Sequence, residues 1–131
     1  MTTDARILIY SALLAWLMLV VAALLRTGGL TPGRLGAAFG NRHHLPEQSP
    51  LAGRADRAAR NMLENLVLFV TLLVAAHIGD APQHQIDLGA RIFFYARVAY
   101  VPVYLAGITH LRTAVWIVSL VGLGIIAAAA L

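Results

Sequence analysis

The sequence predicts an all-α integral membrane protein, a bundle of four transmembrane helices running alternately up and down. Three observations carry that reading. The 131 residues are 60% hydrophobic and only 12% charged, whereas a soluble domain is about one quarter charged. The apolar residues gather into four runs, each long enough to cross about 30 Å of hydrocarbon. Between the runs lie Gly, Pro, Asn and Asp residues that signal turns. The whole chain, 1–131, reads as one membrane domain.

The first helix is expected over about 6–26. Ile7 to Leu25 is almost unbroken apolar sequence. It is too long for the core of a signal peptide, and Arg26 follows with no convincing cleavage site, so the helix is expected to be retained. A polar loop over 27–56 comes next. It holds Gly28-Gly29, Thr31-Pro32-Gly33, Gly40-Asn41, Pro46 and Pro50, with room for a short helical turn over Leu35 to Phe39. The second helix is expected at 57–79, ended by Gly79-Asp80-Ala81-Pro82. The third is expected at 87–108, with Pro102 bending it. The fourth is expected at 112–131, where Gly122 and Gly124 would allow close helix contact.

Charge sets an orientation. Arg26, Arg34, Arg42, Arg54, Arg57 and Arg112 fall at one side of this topology. Arg6 and Arg91 fall at the other, offset by Asp4, Asp80 and Asp87. Basic residues favour the cytoplasm, so loop 27–56 is expected there and both termini in the periplasm. All ten basic side chains are Arg and none is Lys. Arg grips carboxylates and phosphates through a two-pronged fork that Lys lacks.

Several functions are excluded or weak. The absence of cysteine removes disulfides, thiolate nucleophiles and thiolate metal sites. The net charge of +4 is scattered, and no basic patch carries interleaved aromatics, so nucleic acid is not an expected partner. His43-His44 reads as a solvated pair in a loop. His77 and His84 read as solvated beside Asp80 and Asp87. No metal site is expected, and there is no phosphate-binding loop or nucleophile elbow.

Two polar stripes break the apolar pattern. Arg57, Arg60, Asn61 and Glu64 recur at i, i+3, i+4 and i+7, on one face of the second helix. Ala58, Ala59, Met62, Leu63, Leu66 and Phe69 occupy the opposite face. On the third helix Arg97, Tyr100 and Tyr104 share a face. A charge inside a membrane is costly and faces a partner, a cavity or a ligand. One reading is structural, with Arg97 paired to Glu64 and the tyrosines capping a helix interface. That leaves Arg57 and Arg60 without an acidic partner in the membrane. The other reading is a polar pocket for a small anion with more than one carboxylate and one amine. Arg groups would take the carboxylates, Glu64 the ammonium and Asn61 an amide.

R-A-x-x-N-x-x-E at Arg57 to Glu64, A-R-x-x-Y-x-x-x-Y at Ala96 to Tyr104, and Arg112 opening the last helix resemble the MAPEG superfamily, here as a bacterial member. These are the membrane-associated proteins in eicosanoid and glutathione metabolism. The resemblance covers about Gly40 to Leu131. It implies a homotrimer with glutathione as co-substrate, bound between subunits near the cytoplasmic face. It implies that Arg57, Arg60, Asn61, Glu64, Arg97, Tyr100 and Tyr104 hold glutathione and that Arg112 is catalytic, stabilising its thiolate. A free thiol has a pKa near 8.5, so a neighbouring Arg raises the reactive fraction at neutral pH. The implied activity is a glutathione-dependent transferase or peroxidase in the inner membrane, acting on small lipophilic electrophiles or hydroperoxides. The alternative is a non-catalytic trimeric membrane protein that binds lipid or serves as accessory subunit of a membrane complex.

Overall fold

The computed structural model describes residues 1–28, 32–33, 36, 40 and 47–131. The expected turn over Leu35 to Phe39, apart from Gly36, and the His43-His44 pair lie outside the described residues. Among the described residues four long helices follow in order, α1 (Thr3–Thr27), α2 (Pro50–Ile78), α3 (Gln83–Leu105) and α4 (Thr109–Ala130). By length and composition α1, α2 and α4 can cross a membrane. α3 has 23 residues and reaches about 35 Å. Gln83, His84, Gln85, Asp87, Arg91 and Arg97 dilute its apolar character.

Helix α2 begins at Pro50, a full two turns before the expected Arg57. The cause is local. The Ser49 hydroxyl accepts the backbone N–H of Ala52 at 3.1 Å, and Pro50 follows in the first helical turn. Ser as cap and Pro just inside it form a strong helix start. Pro50 is therefore a start signal and not a loop signal, and the polar stripe lies inside α2. α3 likewise starts early, after Pro82, and runs through Pro102 to Leu105. Gly107, at φ +76°, then turns the chain into α4.

Polar contacts at the two ends set the alternating order. At one end Asp4, in the first turn of α1, accepts from His77 of α2 at 2.7 Å and from Gln83 of α3 at 2.9 Å. His77 is thus partnered and not simply solvated, contrary to its sequence reading. At the other end the Arg54 Nε of α2 donates to the carbonyl of Leu105, the last residue of α3, at 3.0 Å.

Between these ends lie two apolar layers. Near Asp4, Phe69 stacks on Phe93 at 4.4 Å between ring centroids, within a cluster that includes Ile7, Leu73, Ile126 and Leu123. Toward the other end, Met62 is fully buried among Ala15, Met18, Ala58, Ala59, Tyr100 and Tyr104. α1 buries one stripe, Asp4, Ile7, Ser11, Ala15, Met18 and Ala22, and Thr27 at its end. Trp16 and Leu13 on its other faces are exposed, as suits lipid contact.

α3 and α4 approach closely at Gly89 and Gly122. A Cβ on either glycine would lie 2.6 Å from the other's carbonyl oxygen. Gly122 thus does what its sequence position suggested. Gly124 does not, because a Cβ there meets nothing within 4 Å.

Candidate functional site

The site forms where α2, the end of α3 and the start of α4 meet. Arg97 is its buried centre, only 1% exposed. Its Nη2 donates to Asn61 Oδ1 at 2.7 Å, and its Nε lies 3.4 Å from Met62 Sδ. The guanidinium stacks over the Tyr100 ring, 4.5 Å from its centroid. Nη1 is buried with no partner among the described residues.

The Arg97–Glu64 pair of the structural reading is absent. Glu64 is exposed, and no ion pair among the described residues includes it. The reason is rotation about α2. Met62, Asn65 and Phe69 mark the buried face. At 100° per residue, Glu64 is turned roughly 60° further from that face than Asn61. An amide oxygen, not a carboxylate, therefore receives the buried fork.

A second set of contacts links Arg57, Tyr104 and Arg112. Arg57 Nε donates to the Tyr104 hydroxyl at 3.3 Å. Arg112 lies over the Tyr104 ring, 4.9 Å from its centroid. Tyr104 in turn packs against Tyr100, with ring centroids 5.2 Å apart. Six of the eight residues singled out from sequence thus form one connected group. These are Arg57, Asn61, Arg97, Tyr100, Tyr104 and Arg112.

Arg60 and Glu64 stand outside that group. Arg60 pairs with Asp56 at 3.2 Å, one turn earlier on α2, with most of its side chain exposed. The sequence reading denied it an acidic partner because it placed Asp56 before the helix. With α2 starting at Pro50, Asp56 and Arg60 are ordinary i, i+4 neighbours.

An open cleft of about 210 Å³ adjoins the group, lined by Asn61, Tyr100, Arg112, Thr113 and Trp116. Thr113 and Trp116 were not anticipated. Their signal was available in part, since Trp116 follows Arg112 at i+4 on the same face of α4, and Thr113 lies three residues before Trp116. Because Arg97 occupies Asn61 Oδ1, the Asn61 Nδ2 group remains as a donor. The cleft thus carries an amide donor, a phenol, a hydroxyl, an indole and a guanidinium, and among the described residues no carboxylate lines it. That donor set suits an anion.

Helices and cleft together define a multi-pass α-helical membrane protein with an Arg-rich polar site near one end of the bundle. The family follows from the sequence. A model of the MAPEG family matches residues 7–131, and the chain belongs to that family, membrane proteins of eicosanoid and glutathione metabolism broadly. The match takes in α1 as well, beyond the stretch from Gly40 that the motifs marked. No curated protein and no solved structure matches the chain.

Proposed function

We propose that the protein is a glutathione-dependent transferase or peroxidase that acts on lipophilic electrophiles or hydroperoxides. The observation that carries this is the acid-free cleft of Asn61, Tyr100 and Arg112, in a member of a glutathione-associated family. Glutathione enters as co-substrate. Arg57 is partly committed to Tyr104, but its remaining N–H groups are free to grip a carboxylate. Asn61 offers its amide donor. Glu64, unpaired and exposed, is available for the ammonium group.

Arg112 has the catalytic part in this reading. It sits at the cleft wall over Tyr104. A cation there stabilises a thiolate and so increases the nucleophile at neutral pH. The sulfur then bonds to an electrophilic carbon, which expels its leaving group or, where a double bond is broken, takes up a proton. With a hydroperoxide it breaks the O–O bond, becomes a sulfenic acid and releases an alcohol. Arg97 changes role from that first expected. It is too buried to be the main grip on a soluble tripeptide, and it acts by holding Asn61 in register.

The active assembly is proposed as a homotrimer with α3 as the fourth spanning helix. Arg57 and Glu64 lie on an exposed face of α2 that also carries Val67, Leu68 and Val74. Charges on such a face are costly against lipid, and a neighbouring subunit closes them into a shared site. The site end is proposed to face the cytoplasm of a bacterial inner membrane, where Arg54, Arg57 and Arg112 satisfy the positive-inside bias.

The direct test is titration of purified protein with glutathione, followed by thiolate absorbance. Saturable binding with a thiolate band at neutral pH is expected. No binding by the folded protein overturns the enzyme reading in favour of a non-catalytic membrane protein.

A further inference from the structure

An apolar groove runs along the membrane-embedded side of the bundle and shares no lining residue with the polar cleft. Leu17 and Val21 of α1 form one wall, and Val101 and Leu105 of α3 form the other. Ala55 and Ala58 of α2 make the floor. Two alanines about one turn apart leave a slot because neither side chain extends beyond Cβ. The open volume is about 120 Å³, and every atom exposed in the groove is apolar.

One cation marks the end of this slot. Arg54 precedes Ala55, and its Nε is held by the carbonyl of Leu105, a wall residue. Its Nη1 and Nη2 have no partner among the described residues. Arg54 lies in the second turn of α2, close to the helix end and so at headgroup depth. The wall residues of α1, Leu14 to Val21, extend about 10 Å along that helix toward the bilayer centre. A charged fork at the interface with a greasy slot leading inward has the form of an amphiphile's binding site.

We propose that this groove binds one acyl chain of an anionic membrane phospholipid, whose phosphate sits on the free fork of Arg54. A helix, about 10–12 Å across, does not fit a slot of this size. Glutathione is excluded by the absence of any polar lining atom. The second acyl chain stays in the bilayer. The proposal is independent of the catalytic reading, since it needs neither Arg112 nor the polar cleft.

The test is native mass spectrometry of the detergent-solubilised protein with phosphatidylglycerol or phosphatidylcholine of identical chains. Wild type is expected to retain phosphatidylglycerol about five- to tenfold better, the effect of one Arg on one anionic head at the interface. Arg54→Gln should erase that preference and leave phosphatidylcholine retention unchanged. Ala58→Leu fills the floor and should lower retention of both lipids. Should it fail to fold, Leu17→Trp at the exposed rim makes the same test. Equal retention of the two lipids by wild type overturns the proposal. So does a preference that survives Arg54→Gln, or retention indifferent to filling the groove.

Discussion

Arg57 bonds the Tyr104 hydroxyl and Arg112 lies over the Tyr104 ring, and the proposed chemistry gives them different work. Losing a charge-assisted contact costs about 1.5–3 kcal/mol, so Arg57→Ala should weaken glutathione binding roughly 10- to 150-fold. Arg112→Ala should leave binding nearly intact but lower turnover at neutral pH, and higher pH should partly restore it. A pH–rate profile of both variants separates the two roles; equal recovery of both would refute the division. Arg97 gives a sharper expectation. Asn61→Asp would place a carboxylate against its buried guanidinium, raising the melting temperature while removing the donor the anion needs. Stability and glutathione affinity should therefore move in opposite directions, and a joint loss would show that Asn61 does not mediate between Arg97 and the ligand. The grouping of Arg97, Tyr100 and Tyr104 was legible from spacing alone. The choice of Asn61 over Glu64 as the partner of Arg97 was not, because it depends on a rotation of about 60° that only the packing of α2 defines.

Among the helices, the α3–α4 contact makes the strictest demand. The atoms facing a new Cβ at Gly122 are the carbonyl oxygen of Gly89 and the backbone of Phe93, and backbone cannot step aside. Gly122→Ala and Gly89→Ala should each destabilise the protein by about 1–3 kcal/mol, the usual cost of overpacking. Gly124→Ala, in open space, should be neutral or slightly stabilising, since alanine is the better helix former. Thermal melts in one detergent compare the three, and equal effects would show that close contact is not the cause. The helices themselves were readable as apolar runs, but their ends were less so. Pro50 belongs to either a loop or a first helical turn until Ser49 is seen to cap Ala52. A signal shared by two structures is settled by the partner it finds.

At the scale of the molecule, the exposed charges of α2 support the proposed neighbouring subunit. Native mass spectrometry in mild detergent should give a trimer, and a stable monomer would count against a shared site. Orientation has its own check. With single cysteines at Thr2 or Ser49, an impermeant thiol reagent should label intact cells at Thr2 only; labelling at Ser49 alone would reverse the topology. One last consequence follows from the touching backbones of Gly89 and Gly122. Two helices this close cannot separate by small steps, so α3 and α4 should open to solvent as a single unit. In hydrogen–deuterium exchange their amides near the contact should be the slowest of the chain and share one rate. α1, which buries a single stripe, should exchange sooner. Tyr104 and Arg112 then belong to the most persistent pair of helices, at the end away from the glycine contact, while α1 opens first.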